Sequence, residues 1–311
     1  MKAKQFFAIT ALGAALFASC SNEEELATGS YPSDNLIRVT AGVNNDMTRS
    51  DEAATALNKD FSLTVVNQTN ANFSYANEIF SLKGTEWSCG NKLLWQNLTT
   101  PVEIVALYPA TDANKFTSVY SKENNTVGTI TYGVNSDQST ADDANNDLLL
   151  YHNASYVPEN DRKDGKLDIQ FNHAFCRVDI EVTIGSEFNA NNGLAENPIQ
   201  GISVGGTKIA AEIGFSETAD PTFTAKGDAT SITPTPGKFT PAASATEQAV
   251  ARYSCIVIPQ TTALKVLLHT SDREFEWTGS QMELESGKQY TLQLNMKKSA
   301  TARKFILRER K

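Results

Sequence analysis

A single serine lies in the spacing that some enzymes use for nucleophilic catalysis. Gly201-Ile202-Ser203-Val204-Gly205 fits the G-x-S-x-G pattern, which exposes its serine at a sharp turn between a strand and a helix. Here Gly206-Thr207-Lys208-Ile209 follows, a sequence typical of a β-hairpin and not of a helix start. Of the histidines, His269 alone follows Ser203 in the order that a triad of this kind requires. The pattern therefore favours a β-turn and no catalytic residue.

The residues that could bind a metal ion do not cluster in the sequence. His152, His173 and His269 have no histidine or cysteine partner at the spacing of a zinc site. Residues 135–147 are crowded with Asp, Asn and Ser, but they lack the glycine and final glutamate of an EF-hand loop. A solvated loop is favoured there over a calcium site. We predict no metal site, no cofactor and no enzymatic activity.

The N-terminus carries the pattern with the most specific chemistry. Two lysines precede an apolar run at residues 6–18, which is typical of a secretory signal. The run ends in Leu16-Phe17-Ala18-Ser19-Cys20, and small residues directly before a cysteine resemble the lipobox of bacterial lipoproteins. In that motif the thiol is lipidated and the chain is cut before the cysteine. Phe17 departs from the usual aliphatic residue, and a plain signal peptide with an incidental Cys20 is the alternative.

We therefore predict a lipoprotein signal peptide at residues 1–19, lipidation at Cys20 and a polar tether at residues 20–35. Ser21-Asn22-Glu23-Glu24-Glu25 is similar to the acidic tract of surface-exported lipoproteins in some Gram-negative bacteria. Each buried methylene contributes about 0.8 kcal/mol, and two acyl chains suffice for stable anchoring. The predicted location is the surface of the cell outer membrane.

Charge is divided unevenly between the body and the C-terminus. The whole chain has a formal net charge of −9. Residues 297–311 hold seven basic residues and one acidic residue, whereas residues 20–296 hold 18 basic and 35 acidic residues. An acidic body is repelled by the phosphates of DNA and RNA. We predict no nucleic-acid partner.

Three cysteines remain besides Cys20, namely Cys89, Cys176 and Cys255. An odd number does not indicate a framework of disulfides, although an exported chain permits them. Cys176 and Cys255 both lie in strand-like runs. Two interpretations stay open for this pair, a disulfide bridge or two small buried apolar side chains.

The elements that must position all these residues are predicted to be β-strands. Apolar and polar residues alternate at residues 167–172 and again at 177–184. A period of two places the apolar set on one face of a sheet and the polar set in water. The same alternation occurs at residues 37–43 and 291–296. Frequent strands, polar turns and little helical periodicity predict an all-β fold built from sandwiches.

Length and composition predict two domains. The chain has 311 residues, enough for two domains of ordinary size. Residues 158–165, Pro-Glu-Asn-Asp-Arg-Lys-Asp-Gly, form the best candidate linker because charged and turn residues dominate them. We predict an N-terminal β-sandwich over residues 36–160, a C-terminal β-sandwich over residues 161–298 and a basic tail over residues 299–311.

Several short motifs occur in a characteristic order along nearly the whole chain. They are Ala18-Ser19-Cys20, the first strand at residues 37–43 with Thr48-Arg49-Ser50, Ile104-Val105-Ala106-Leu107-Tyr108-Pro109, Asp147-Leu148-Leu149, Leu167-Asp168-Ile169-Gln170-Phe171-Asn172-His173-Ala174, and Gly287-Lys288-Gln289-Tyr290-Thr291-Leu292. Taken together these motifs resemble the fimbrillin family, the lipoprotein-derived subunits of type V pili, in its Mfa-like branch.

This resemblance implies two transthyretin-like, Greek-key β-sandwich domains in tandem and polymerisation by strand exchange. In such pilins an arginine-specific protease cuts after the first strand, the strand leaves, and a strand donated by a neighbouring pilus subunit fills the groove. Arg49 matches the cut position, and its polar surroundings suit proteolysis. The resemblance assigns the exchangeable first strand to Ile37, Val39, Ala41 and Val43.

The C-terminus departs from the family pattern. Stalk subunits need a donor segment after the last body strand, and here only residues 299–311 remain. Phe305-Ile306-Leu307 is one short apolar run among basic residues. It is either a reduced donor strand or a frayed basic tail. So short a segment argues against a repeating stalk role and leaves tip, anchor or accessory roles open.

We interpret the chain as a surface-anchored fimbrial subunit or adhesin, with a host or bacterial surface ligand in the second case. The alternative is a surface glycan-binding lipoprotein of a nutrient-uptake system, in which Trp87, Trp95 and Trp277 would line a sugar platform. Aromatic residues in β-sandwiches are more often core. A secreted hydrolase would require Ser203 with His269, or a pair of carboxylates, in one cleft.

Overall fold

The computed structural model describes residues 34–44, 57–110, 120–121, 123–140, 146–216, 219–298 and 306–310. Nearly all regular structure in these ranges is β, so the prediction of an all-β fold is confirmed. The helical segments are α1 (Pro158–Asp161) and two 3-10 turns at Ala71–Phe73 and Ser186–Phe188. The strands are β1 (Val39–Val43), β2 (Phe61–Val66), β3 (Tyr75–Lys83), β4 (Glu86–Ser88), β5 (Val102–Tyr108), β6 (Tyr120–Ser121), β7 (Thr126–Val127), β8 (Thr129–Gly133), β9 (Leu149–Tyr156), β10 (Leu167–His173), β11 (Cys176–Ile184), β12 (Gly201–Gly205), β13 (Lys208–Ser216), β14 (Ala219–Ala229), β15 (Thr235–Thr240), β16 (Ala249–Val257), β17 (Gln260–Thr262), β18 (Lys265–His269), β19 (Glu274–Thr278), β20 (Met282–Leu284), β21 (Gln289–Met296) and β22 (Ile306–Arg310).

Seven strands form a closed barrel in the order β1-β10-β9-β5-β2-β3-β4. The first strand lies parallel to β10, from Val39 opposite Leu167 to Val43 opposite Phe171. All other neighbours in the barrel are antiparallel. The parallel pairing brings the first strand beside a strand that lies more than a hundred residues further along the chain.

The barrel interior is filled by the apolar face of each strand. Leu167, Ile169 and Phe171 of β10 are all fully buried, on the face that their alternation predicts. Phe61 lies at the centre of an aromatic cluster, with its ring centroid 5.6 Å from Phe171 and 4.8 Å from Trp87. Burying each such side chain stabilises the fold by about 1.5–3 kcal/mol.

A five-stranded sheet in the order β15-β16-β11-β21-β22 dominates the rest of the chain. β11 is its central strand, and Val178, Ile180 and Val182 are buried while the residues between them are half-buried. β11 pairs antiparallel with β16 and parallel with β21. Smaller groups, β12-β18-β19, β14-β13-β8, β17-β20 and β6-β7, complete the arrangement.

β5 connects the two hydrophobic cores of the chain. Every residue of this strand is buried. Ile104 and Ala106 face the barrel interior, whereas Val105 and Leu107 belong to the core shared with the five-stranded sheet. The sequence of a strand that is buried on both faces is a nearly continuous apolar run, without the alternation of apolar and polar residues found in a half-buried strand.

The predicted boundary between residues 160 and 161 does not coincide with a change of sheet. β9 and β10 lie on its two sides, and both belong to the barrel. In the predicted linker, Lys163 and Lys166 exchange backbone hydrogen bonds of 2.9 Å across a tight turn. Asp164 and Gly165 in that turn have φ of 49° and 71°, the positive values that a type I′ hairpin turn requires. A tight turn and a linker share a polar composition, so sequence alone did not separate them.

The pairing changes from the barrel to the five-stranded sheet between His173 and Cys176 instead. β8, which falls in the predicted N-terminal half, pairs with β13 of the predicted C-terminal half. β22, which falls in the predicted basic tail, has its backbone paired with β21 from Ile306 opposite Gln293 to Arg310 opposite Gln289. The division into two transthyretin-like sandwiches in tandem stays a prediction.

Candidate functional site

The first strand is seated on the barrel core. Ile37 and Val39 are 6% and 5% exposed and form part of that core. Ala41 and Val43 are half-buried and pack against the same core. All four side chains of the predicted exchangeable strand therefore face the interior, as a period of two requires.

Polar contacts hold the outer side of the first strand. The Thr40 hydroxyl Oγ1 donates to Asp168 Oδ1 at 3.0 Å, and Asn44 Nδ2 donates to Asn172 Oδ1 at 2.8 Å. Arg38 donates to both carboxylate oxygens of Asp34, at 2.9 and 2.7 Å. The hydrogen bond from Arg38 lowers the pKa of Asp34 to about 2.

Asp168 is the titratable residue of β10 that accepts a hydrogen bond from the first strand. Burial acts to raise the pKa of Asp168, but hydrogen bonds from Lys163, Gln170 and Thr40 outweigh burial and hold the pKa below its usual value. The shortest of these three bonds is 2.6 Å long, from Lys163 Nζ to Asp168 Oδ2. The ionised carboxylate is therefore the form that fits the folded protein.

Acidification is expected to weaken the folded protein through Asp168. Its pKa is lower in the folded chain than in the unfolded chain, where it is about 3.9. The stabilisation is therefore complete above that pH and is lost as the pH falls through the lower, folded value. Asp168→Asn removes this titration. Urea denaturation between about pH 5 and pH 2 should show a steeper loss of stability for the unchanged protein than for D168N, and equal slopes would contradict the assignment.

The second edge of the first strand is paired at few points. One ladder pair joins Val39 to Trp87 of β4, and the Ile37 amide donates to the Leu93 carbonyl at 3.0 Å. Because alternate residues of a parallel strand bond to opposite sides, the backbone groups of Ala41 and Val43 point away from β10. Within the described ranges no strand pairs with that edge at these two residues.

The predicted lipidation site and the predicted cleavage site lie outside the described residues. Cys20, the predicted lipidation site, precedes residue 34, and Arg49, the predicted cleavage site, lies between residues 44 and 57. Asn44 is the last residue of the first described range. Its amide donates to the Phe171 carbonyl at 2.8 Å, which is the last hydrogen bond of the parallel ladder. Both sites stay predictions.

Ser203 does not lie at a nucleophile elbow. The predicted β-turn at this position is corrected, because Gly201–Gly205 is the regular strand β12, paired with β18 over all five residues. Gly201 pairs with His269, which places Ser203 and His269 on one half-exposed face, two residues out of register. His269 Nδ1 lies 3.0 Å from Glu274 Oε1 across the next strand pair. This sheet face lacks the strand–turn–helix geometry that activates a serine.

Two buried histidine–carboxylate pairs were not found by sequence reasoning. His152 Nε2 lies 2.9 Å from Glu103 Oε1, and His173 Nδ1 lies 2.7 Å from Asp147 Oδ2. Sequence separations of 49 and 26 residues conceal both pairs. One signal was present, because Glu103 is the single charged residue in the apolar run of β5, and a buried charge needs a partner.

The cysteines are free thiols in the described ranges. Cys176 and Cys255 lie on the adjacent strands β11 and β16, two residues out of register, and no disulfide joins them. The Cys176 thiol donates to the Val257 carbonyl at 2.9 Å. Burial raises the pKa of both thiols, in Cys255 to about 12. Of the two interpretations, the small buried apolar side chain is the one observed.

The three tryptophans do not share one surface. Trp95 is buried in the barrel core, where its ring stacks 5.8 Å from that of Tyr156. Trp87 packs against the same core, whereas Trp277 packs against the core shared with the five-stranded sheet. The sugar platform that the alternative function requires has no support in this arrangement.

Over the ranges that the structure describes, no three His, Cys, Asp or Glu side chains gather in a geometry that could hold a metal ion. In the same ranges no helix combines the length and hydrophobicity needed to cross a membrane. The described part of residues 135–147 is tied to the body through Gln138, whose amide oxygen accepts from the Ile256 amide at 2.8 Å.

The described chain is an all-β fold with a strand edge as its candidate site, and its family makes it a structural, non-enzymatic protein. The family follows from the sequence, because a family model described as fimbrillin-like matches residues 44–305, and the chain belongs to that family. It is a fimbrial, adhesin-like protein of the cell surface, and the family resemblance predicted from the sequence is confirmed. The matched region begins after Val43, so the first strand itself lies outside it.

Several solved structures share the fold of this chain. A proposed cell adhesion protein from Bacteroides ovatus aligns with a TM-score of 0.57 at 16% identity, covering 90% of this chain and 97% of that one. A proposed cell adhesion protein from Bacteroides uniformis aligns with a TM-score of 0.54 at 14% identity, covering 90% and 98%. A fimbrial protein from Bacteroides vulgatus aligns with a TM-score of 0.51 at 15% identity, covering 88% and 98%. No curated protein sequence matches the chain.

Proposed function

We propose that this chain is a surface-anchored fimbrial subunit or adhesin that joins other pilus subunits by exchange of its first strand after proteolysis near Arg49. The observation that supports the proposal is the first strand itself. It fills the barrel core with Ile37 and Val39 and yet has few backbone contacts on its second edge. A strand of this kind is both needed by the fold and removable from it.

The energetics favour exchange over simple loss of the strand. Removing Ile37 and Val39 from the core costs about 1.5–3 kcal/mol for each side chain, and the groove left behind exposes Leu167 and Ile169. It also leaves the edge of β10 without a hydrogen-bonding partner. A strand donated by another subunit restores the ladder and refills the apolar positions, which is β-augmentation.

Cleavage is the step that makes the strand replaceable. Before a cut near Arg49 the strand is tethered to its own barrel, so a competing strand must overcome a high effective concentration. After the cut the short fragment is held by noncovalent contacts alone. The acyl chains proposed at Cys20 would keep the chain at the outer membrane surface until then, and mass analysis of the mature N-terminus tests that lipidation.

The C-terminal strand fits either role that the sequence left open. Its backbone occupies an edge position on β21, where it is the last strand of the five-stranded sheet. An edge strand can leave without breaking the sheet into two parts. Both alternatives for this segment, a reduced donor strand and a frayed basic tail, therefore stay open, and neither decides the position of the subunit in a fibre.

The test is exchange of a labelled first-strand peptide. A soluble chain beginning at residue 21 is treated with an arginine-specific protease and mixed with a fluorescent peptide of residues 34–44. Cut protein should take up the peptide and uncut protein should not, because only the cut strand can dissociate. Arg49→Gln is the matched control and should block uptake, and a peptide carrying Val39→Asp should not bind. Uptake that is equal in cut and uncut protein, or absent from both, would refute the proposed exchange.

A further inference from the structure

A pocket of about 240 Å³ opens beside the first strand. The barrel wall is interrupted there, because the strand meets β4 at Val39–Trp87 and then meets the Leu93 carbonyl at Ile37. Between these two points the chain leaves the wall after Ser88, the last residue of β4, and residues 90–92 are exposed. The residues around the pocket that bear on its ligand are Ile37, Phe80, Glu86, Trp87, Leu93 and Lys166.

The pocket has an apolar floor. Phe80 and Leu93 are both 2% exposed and belong to the barrel core, and Ile37 adjoins them. These side chains reach the pocket because no strand closes the wall in front of them. An apolar floor favours a ligand with an apolar group, because a polar group placed against these side chains would lose hydrogen bonds to water without gaining a partner.

The walls carry two opposite charges that do not pair. Glu86 begins β4 on one side of the first strand, and Lys166 directly precedes β10 on the other side. In the described ranges neither side chain forms an ion pair, with the other or with a third residue. Arg38 is different, because its guanidinium is bound at both ends by Asp34. A positive and a negative group are thus left for a ligand.

We propose that this pocket binds a small zwitterion with an apolar side chain, that is, an aliphatic α-amino acid. The side chain rests on Phe80 and Leu93, the ammonium group faces Glu86, and the carboxylate faces Lys166. The volume is below the roughly 300–1,000 Å³ of sites for drug-sized molecules, so the ligand is small. A zwitterion complements both walls, whereas a ligand with one charge complements a single wall.

Occupancy of the pocket stabilises the seated first strand, a step that rests on the proposed function. Ile37 and Val39 form one side of the pocket, so the pocket exists only while the strand is in place. A ligand that binds only this state reduces the fraction of chains with a released strand by 1 + [L]/Kd, about 100-fold at 100 times Kd. The ligand would therefore delay exchange after cleavage.

Four leucine derivatives test the charge requirement on the uncut chain. Binding of L-leucine, N-acetyl-leucine, leucinamide and N-acetyl-leucinamide is measured by NMR titration, with the indole signal of Trp87 as the reporter. L-leucine should bind most tightly, and each missing charge should weaken binding about 10-fold, as expected for a charged hydrogen-bonding partner. Lys166→Gln should bind leucinamide as well as leucine. Glu86→Gln should bind N-acetyl-leucine as well as leucine.

Two exposed residues of the same types provide controls. Lys265→Gln on β18 and Glu276→Gln on β19 lie away from the pocket and should leave all four affinities unchanged. Failure of every probe to shift the Trp87 signal would overturn the proposal, and so would N-acetyl-leucinamide binding as tightly as leucine. The assay needs neither cleavage nor exchange, so its failure leaves the proposed assembly standing, and failure of peptide exchange leaves this binding intact.

Discussion

Val39→Asp is expected to detach the first strand and to destabilise the protein by about 3 kcal/mol or more. Val39 is 5% exposed in the barrel core, where the change removes an apolar side chain and buries a carboxylate without a partner. Because the first strand pairs with β10 along its whole length, the loss should extend to the amides of β10. Urea denaturation gives the stability, and hydrogen exchange of β10 amides reports the detachment.

Thr40→Val is the matched control for Val39→Asp. Thr40 neighbours Val39 on the outer face of the same strand, and the change keeps its size while removing the hydrogen bond to Asp168. The expected cost is about 1 kcal/mol, the net value of one hydrogen bond. If V39D is no less stable than T40V, the first strand does not contribute to the barrel core in solution, and the groove needed for exchange is absent.

The sequence predicts which face of each strand is buried, but it does not predict which strands pair with each other. Alternation at residues 167–172 and 177–184 placed the correct side chains inside, because a period of two decides which face is buried. It carries no information on which strand lies alongside. The parallel pairing of the first strand with β10 joins Thr40 to Asp168, 128 residues apart, and only the folded chain shows it.

The candidate site was predictable to a similar extent. The apolar residues Ile37, Val39, Ala41 and Val43 were identified because their pattern is local, and the structure places them on the barrel core. The interrupted wall was not foreseeable, since it depends on where β4 ends relative to the first strand. The two charges beside the pocket could not be predicted either, because Glu86 and Lys166 come to line one opening only through two different strand pairings.

His152→Leu is expected to cost about 3–5 kcal/mol. The side chains of His152 and Glu103 are 5% and 3% exposed, and the Leu substitution leaves the Glu103 carboxylate buried without its partner. The pair lies on the face of β5 and β9 that borders β13, where the His152 ring is 5.3 Å from that of Phe215. The destabilisation should therefore reach both the barrel and the core that it shares with the five-stranded sheet, and urea denaturation at neutral pH measures it.

A double substitution separates the unpaired charge from a loss of packing. Glu103→Leu together with His152→Leu removes both polar groups, and the double variant should be more stable than H152L alone, because replacing both partners of a buried hydrogen bond by apolar groups costs little free energy. His269→Leu is the exposed control, since His269 and Glu274 are 42% and 65% exposed and such surface pairs contribute about 1 kcal/mol or less. Should the double variant be as unstable as H152L, the penalty arises from packing around His152. The contact between the barrel and the core that it shares with the five-stranded sheet would then depend on shape complementarity and not on the pairing of His152 with Glu103.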